Sequence, residues 1–172
     1  KIESRLFGGI YFNNLGDKVK ITKIANYGQG VSRLNIGSFY GCSSLLSIAI
    51  GNIVSNGADA LNQYRGCTAL TTVPLFNLSS VTNASVMFAY CAALTTVPLF
   101  DLSKVTNATS MFLGVTLTTQ SYSDFLINLA TLPLQSGVSF HGGNSKYNPA
   151  AAIARAYLIS IFGWTITDGG AA

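Results

Sequence analysis

Residues Cys67–Tyr90 read CTALTTVPLFNLSSVTNASVMFAY, and Cys91–Gly114 read CAALTTVPLFDLSKVTNATSMFLG. The second segment begins directly where the first one ends, and 17 of their 24 aligned positions are identical. A period of about 20–50 residues is typical of solenoids, in which each unit buries its apolar face only against its neighbours. The sequence therefore predicts a stacked-repeat fold, and it makes an exposed surface, rather than a pocket, the expected place of function.

Each unit combines two patterns. Its first part, Leu70–Leu75 and again Leu94–Leu99, matches the L-x-x-L-x-L motif and predicts a short strand or an extended arm, interrupted by a proline that has no N–H. In its second part, apolar residues recur at spacings of three, three and one, which predicts one face of a short helix. These residues are Val81, Ala84, Met87 and Phe88, repeated as Val105, Ala108, Met111 and Phe112. The predicted fold class is thus α/β: a short leucine-rich-repeat solenoid with an α/β C-terminal cap.

The pattern divides the chain into three parts. We predict a divergent N-terminal repeat or docking segment at residues 1–38, the repeats at 39–120 and a capping module at 121–172. The cap is expected because a terminal repeat must seal the open end of the stack.

Within the cap, Asn148 followed by Pro149 predicts the start of a helix, since Asn is a good N-cap and Pro suits the first helical position. Gly163 is expected to end this helix. Its predicted bounds are about Pro149–Phe162, with an apolar face of Ile153, Ala156, Tyr157 and Ile161. The other expected elements are a helix from Ser121 or Ser123 through about Ala130 and strands at Gly137–Phe140 and Trp164–Thr167.

The three cysteines, Cys42, Cys67 and Cys91, share one phase of the repeat. Each follows an aromatic residue by three positions and precedes a leucine by three. Because cysteine packs well as a small buried hydrophobe, we predict an internal ladder of unpaired thiols. There is no C-x-x-C motif and only one histidine, so neither a metal site nor a cofactor is expected.

The composition excludes disorder, since 49% of the 172 residues are hydrophobic and only 9% are charged. The net charge of +4 is carried by the segment that ends at Arg33. There, Lys1, Arg5, Lys18, Lys20, Lys23 and Arg33 oppose Glu3 and Asp17. This end either meets an acidic partner or glycan, or carries ordinary solvated side chains, which is the interpretation we favour. The apolar stretch Ala150–Trp164 is interrupted by Arg155 and is too short to span a membrane.

The phrase C-x-x-L-T-T-V-P-L-F-D-x-S-x-V-T-N-x-x-x-M-F resembles the BspA-like class of bacterial surface leucine-rich repeats. The closing phrase Ser145–Gly170, SKYNPAAAIARAYLISIFGWTITDGG, looks like the end module often attached to such repeats in phage and metagenomic proteins. The resemblance covers roughly Phe39–Gly170, with Ala84 and Ala108 where the family usually has methionine. It implies an extracellular protein, on a virion or a bacterial surface, that binds host surfaces, matrix proteins or glycans.

Catalytic chemistry finds little support in the sequence. His141 would need an orienting carboxylate to act as a base, and only folding could bring Asp124 or Asp168 near it. No two acidic residues form a glycosidase motif. We therefore expect no enzymatic activity, and a polysaccharide-active enzyme ranks third among the functions considered.

The favoured function is a receptor-binding or decorating domain of a phage tail fibre or other virion appendage, because of the end module and the lack of a signal or anchor in these residues. The alternative is a bacterial adhesin domain that binds host matrix or glycan. Expected partners are a host-cell protein or glycan, and other virion proteins or a second copy, with no nucleic acid and no membrane insertion.

The expected binding surface is the strand face with its corner loops. Solenoids present extended faces to ligands, and tyrosine combines contact area with a polar tip. The candidate binding residues are Thr71, Thr72, Thr95, Thr96, Tyr27, Tyr40 and Tyr64, of which Tyr40 and Tyr64 are equally consistent with the core.

Overall fold

The computed structural model describes residues 15–24, 36–48 and 59–172. Tyr27 and most of the predicted segment 1–38, including Lys1, Arg5 and Arg33, lie outside these ranges. The regular elements of the described residues are a short 3-10 helix at Lys18–Lys20, β1 at Lys23–Ile24, β2 at Ser47–Ile48, α1 at Thr119–Leu129, β3 at Ser139–His141, α2 at Pro149–Phe162 and β4 at Thr165–Thr167.

Backbone hydrogen bonds join each repeat unit, here called a coil, to the next one along the chain. The amide of Tyr64 donates to the carbonyl of Met87 at 2.9 Å, and the amide of Phe88 donates to Met111 at 3.0 Å. Every second residue donates in this way, as it would in a parallel sheet. The further donor–acceptor pairs are Gly37–Leu61, Phe39–Gln63, Gly41–Arg65, Ala60–Asn83, Asn62–Ser85, Gly66–Ala89, Ala84–Asn107, Val86–Thr109 and Tyr90–Leu113. The coils therefore stack in parallel, with equivalent positions beside one another.

The capping module continues this inter-coil ladder. The amides of Ala108 and Phe112 donate to the carbonyls of β3 at Ser139 and His141, at 3.1 and 3.0 Å. On its other side β3 pairs in parallel with β4, and Phe140 lies opposite Ile166. The two strands thus take the places that two further coils would occupy.

The short helices predicted within the repeats are wrong, and these segments form consecutive turns instead. Asn62, Val86 and Ser110, which occupy one phase of the repeat, have φ angles of 56°, 58° and 58°. A left-handed residue cannot continue a right-handed helix. Alternate amides also donate to the next coil rather than within their own segment, so no helical hydrogen-bond pattern is available to them.

For Leu70–Leu75 and Leu94–Leu99 the sequence predicts a short strand or an extended arm, and the strand is wrong, because neither segment forms a regular strand. Pro74 and Pro98 lack the N–H that pairing needs. Among the described residues, a regular strand pair forms in this phase only between β1 and β2, which lie parallel with Ile24 opposite Ile48. Elsewhere in this phase single backbone hydrogen bonds join the coils, as from the Ala93 amide to the Thr68 carbonyl. The ladder runs through the half of the repeat that the sequence predicted to be helical.

Aromatic rings stack along the interior of the coils. The centroids of Phe39, Tyr64, Phe88 and Phe112 are 5.5, 5.6 and 5.6 Å apart, and successive rings are parallel within 7°. Phe76 and Phe100 fill the space beside this column, and all six rings are buried. In the cap, Phe125 of α1 meets Phe112 edge-on at 5.9 Å, which ends the parallel stack.

The cap follows the predicted elements closely, with two corrections. Helix α1 begins earlier than predicted, because Thr118 is its N-cap and its Oγ1 accepts from the Ser121 amide at 3.2 Å. Helix α2 has its predicted bounds, with the Asn148 side chain accepting from Ala151 and Gly163 ending the helix at φ 66°.

The second correction is that the predicted apolar face of α2 points to solvent. The helix is buried through Ala151 and Leu158, whereas Ile153 and Ile161 are exposed. Arg155 lies on the inward side, where its Nε donates to Asp168 at 2.8 Å.

Asp168 ties both helices of the cap to β4. Its carboxylate accepts from Arg155 Nε at 2.8 Å, from the Tyr122 hydroxyl at 2.8 Å and from the Gly170 amide at 3.0 Å. Burial, together with the nearby carboxylate, raises the pKa of Tyr122, so its phenol stays protonated and donates.

Replacing Asp168 with Asn should reduce the free energy of unfolding by about 1.5–3 kcal/mol, because the guanidinium loses a charged hydrogen-bond acceptor. Denaturant unfolding would measure the change. The control is Asp124→Asn, at an exposed carboxylate bonded to Gln120 Nε2, which should shift stability by no more than about 0.5 kcal/mol. Equal effects of the two variants would contradict a structural role for Asp168.

A second prediction concerns Gln63, which is buried where the next two coils carry Met87 and Met111. Among the described residues, neither its Nε2 nor its Oε1 has a hydrogen-bond partner. Gln63→Met should therefore stabilise the fold by about 1–3 kcal/mol, the typical cost of a buried unsatisfied polar group. Met87→Gln is the reverse test and should destabilise. A loss of stability in Gln63→Met would show that the amide has a partner.

Candidate functional site

Four of the predicted binding residues, Thr71, Thr72, Thr95 and Thr96, are exposed on the coils. Thr118, whose amide donates to the Thr95 carbonyl at 2.9 Å, is also exposed, but its hydroxyl accepts from the Ser121 amide as the N-cap of α1. The threonine pairs thus lie on two neighbouring coils and meet the cap at Thr118.

Of the predicted binding tyrosines that the structure describes, one lies in the core and one at the surface. Tyr64 is fully buried between the rings of Phe39 and Phe88, so the prediction that it contacts a ligand is wrong. Tyr64 is buried because it occupies a position in the aromatic column, whereas the sequence was equally consistent with a core or a surface position. Tyr40 is half-buried at the surface, and Tyr27 lies outside the described residues.

Tyr40 belongs to a surface row that spans neighbouring coils. The Arg65 guanidinium lies 5.2 Å from the ring centroid of Tyr40 and 5.8 Å from that of Tyr90. Both distances are within the cation–π range of about 6 Å. We call these three residues the Tyr–Arg–Tyr row; sequence reasoning missed Arg65 and Tyr90.

Tyr90 occupies a position that the other coils give to glycine. Its φ is 62°, and Gly41, Gly66 and Gly114 in the same phase have φ of 76°, 73° and 74°. An aromatic residue in this conformation is a genuine outlier and costs about 1–2 kcal/mol relative to right-handed backbone. The signal was present in the sequence, since a glycine precedes Cys42, Cys67 and Val115, but Tyr90 precedes Cys91.

The neighbouring coil makes room for this ring. A Cβ added at Gly114 would lie 2.9 Å from Cδ1 of Tyr90, closer than real Cβ atoms come. The ring therefore rests on the bare backbone of Gly114 while remaining 48% exposed. Backbone strain of this kind tends to persist at functional sites, where it is part of the mechanism.

Arg65 has no hydrogen-bonding or ionic partner for its side chain among the described residues; only the two rings hold it in place. The five N–H donors of a guanidinium match a planar carboxylate or a similar oxyanion. Of the basic residues near the N-terminus, Lys20 pairs with Asp17 at 3.0 Å on the surface. The row is thus a surface cation with an aromatic ring on either side.

The cysteines form a buried column, as the repeat phase predicts. Cys42, Cys67 and Cys91 are fully buried and free of disulfides. Each of the latter two donates its thiol to a carbonyl of the preceding coil, Cys67 to Phe39 at 3.2 Å and Cys91 to Tyr64 at 3.1 Å. A serine hydroxyl at Cys67 would have the same Phe39 carbonyl as an acceptor.

Burial disfavours the thiolate form of all three. It raises the pKa of Cys42 from the ordinary 9.0 to about 11 and that of Cys91 to about 12. The pKa of Cys67 is raised as well, first by burial and then by the neighbouring thiols. Because the thiolate is the nucleophile, these cysteines are inert at neutral pH.

His141 is not part of a catalytic arrangement among the described residues. Its Nδ1 accepts from the Gly143 amide at 3.0 Å, and its carbonyl belongs to the inter-coil ladder. The two carboxylates considered as partners bond elsewhere, Asp124 to Gln120 and Asp168 to Arg155 and Tyr122. In the same part of the chain, no three His, Cys, Asp or Glu side chains come together as a metal site would require.

Comparison with known proteins gives no match to a family model, a curated protein or a solved structure. Among the residues that the structure describes, no helix has the length and apolarity needed to cross a membrane.

The thiol column leads to a prediction about alkaline pH. Unfolded cysteines ionise near their ordinary pKa, whereas the buried ones hold their protons to about pH 11–12. Above about pH 9 the folded state therefore binds more protons than the unfolded state. The free energy of unfolding should then fall as the pH rises from about 9 to about 12. Melting temperatures from about pH 7 to about pH 11 would measure this fall, and Cys42→Ala should make it shallower.

Ellman's reagent supplies an independent readout for the same thiols. At neutral pH it should label the native protein very slowly and all three thiols after unfolding in urea, and reductant should leave the melting temperature unchanged. Rapid labelling of the native protein, or a lower melting temperature in reductant, would contradict a column of buried, unpaired thiols.

Proposed function

We propose that this chain is a non-enzymatic surface-recognition module built as a short leucine-rich-repeat-like solenoid, which binds a host-cell glycan through the Tyr–Arg–Tyr row. The observation that carries the proposal is Tyr90. One coil replaces a glycine with an exposed tyrosine at a backbone cost of about 1–2 kcal/mol, and the ring of this tyrosine lies beside the Arg65 guanidinium.

The chemistry of the row favours an acidic sugar. The faces of Tyr40 and Tyr90 offer flat apolar surface to the C–H side of a sugar ring, and their hydroxyls can bond to its polar groups. Arg65 lies between them, and its guanidinium has no ionic partner in the part of the chain that the structure describes, which suits a carboxylate of a uronic or sialic acid. A neutral sugar would leave this charge without a partner.

For biological context, we propose a receptor-binding or decorating domain of a phage tail fibre or other virion appendage, in an extracellular setting. The resemblance of the repeats and of the closing segment to phage and surface proteins supports this choice. A bacterial adhesin domain is the alternative, and it would use the same row. The sequence that flanks this chain in its gene distinguishes the two, because an adhesin needs an export signal and a wall anchor.

We predict that the purified protein binds hyaluronan, a polysaccharide with a uronic acid, and that it does not bind neutral dextran. Arg65→Ala should weaken hyaluronan binding by at least about tenfold, and Arg65→Lys should restore part of it, because lysine keeps the charge but not the bidentate geometry. Binding should also weaken with added salt. Biolayer interferometry with immobilised polysaccharide would measure each affinity.

Tyr90→Gly is the sharpest variant, because it separates binding from stability. It removes the left-handed strain, so the melting temperature should stay the same or rise, while binding should fall by at least about tenfold. The matched control is Thr71→Ala with Thr72→Ala, which should leave binding unchanged if the row is the site.

Three results would contradict the proposal. Loss of binding in the threonine variant but not in Arg65→Ala would assign the ligand to the threonine pairs. A wild-type protein that binds neither hyaluronan nor sialylated glycans would exclude an acidic sugar. Release of oligosaccharides from bound polysaccharide would identify an enzyme instead.

A further inference from the structure

The outer face of α2 is apolar, and no other described residue covers it. Ile153 is 81% exposed, Ile161 62%, Tyr157 43% and Ile159 40%. Of the 14 residues of this helix, Ala151 and Leu158 are the buried ones. End units of a repeat stack normally need a polar outer face for solubility, so this face is expected to be covered by a partner.

The outer face of α2 lacks charged side chains, and this limits the kinds of partner that it can bind. Arg155 is the one charged residue of α2, and it turns inward to Asp168. The outer face therefore carries no charge that would attract an acidic or basic partner, and none that would repel an identical face. The basic residues described near the N-terminus lie by the first coil, whereas α2 precedes β4 at the opposite end of the ladder.

The side chains of the face form two parallel rows. One row is large, Ile153, Tyr157 and Ile161, and the adjacent row is small, Ala152, Ala156 and Ser160; all six are exposed. Each row has a spacing of four residues, which is the spacing of the ridges and grooves through which helices most often pack. The large row supplies a ridge, and the small row supplies a groove of matching pitch.

The large row is also symmetric about its centre. Tyr157 has an isoleucine four residues before it and another four residues after it. In an antiparallel pair of such helices, Ile153 of one copy would lie opposite Ile161 of the other, with the two Tyr157 rings near the axis. A two-fold interface requires this kind of self-complementary patch.

We infer that the outer face of α2 is the interface of a homodimer, in which the helices of two copies pack antiparallel with the large row of each in the small-residue groove of the other. The inference does not depend on the proposed glycan site, which lies on the coils.

Light scattering after size exclusion tests the inference directly. The wild-type chain should have twice the mass of 18.1 kDa expected for one copy. Ile153→Asp with Ile161→Asp should weaken dimerisation by at least about 100-fold, because it places four charges in an apolar interface. Leu75→Asp with Leu99→Asp, at comparably exposed positions on the coils, is the matched control and should remain dimeric.

A charge-swap pair identifies the partner as a second copy in this orientation. The variant with Ile153→Lys and Ile161→Lys, and the variant with Ile153→Glu and Ile161→Glu, should each be monomeric alone and form a heterodimer when mixed. Circular dichroism should give all variants the wild-type spectrum. A monomeric wild type at its highest soluble concentration, a dimer that survives the aspartate variant, or no heterodimer on mixing would each overturn the inference.

Discussion

The parallel hydrogen-bond ladder between coils is the constraint on which the rest of this structure depends. Within each described coil, alternate amides donate to carbonyls of the following coil, and the amides between them close local turns, such as Ala89 to Val86. Because the alternate amides bond to the next coil, the turn segments cannot form the hydrogen bonds of an α-helix, and residues such as Val86 can remain at positive φ. The repeat length is thus a geometric requirement, because equivalent positions must meet at each step.

In a stack of coils, the residues at one repeat position form a column. Each column accepts only side chains of a particular size and polarity. The aromatic column needs flat rings about 5.5 Å apart, and the cysteine column needs a small side chain next to a carbonyl. Departures from a column are therefore informative. Gln63 places an amide in a column of apolar side chains, and Tyr90 places a ring where other coils have glycine.

The cap ends the ladder by replacing coils with strands and by turning a ring. β3 and β4 satisfy the last donors, and Phe125 meets the column edge-on, which leaves no parallel ring surface for another coil. Asp168 then holds both helices through Tyr122 and Arg155. Arg155 points inward to Asp168, whereas Ile153 and Ile161 on the other side of α2 are exposed.

The sequence by itself determined the period, the shared phase of the cysteines, and the bounds of α2, because these follow from identity between units and from local capping by Asn148, Pro149 and Gly163. It could not determine the conformation of Val81–Phe88, since apolar spacings of three, three and one fit both a helix face and successive turns. Hydrogen bonds to the next coil select the turn conformation, and a local sequence pattern holds no information about those bonds. The same holds for Tyr64, Arg65 and Tyr90: only the register between coils decided which ring is buried and which two rings flank the guanidinium.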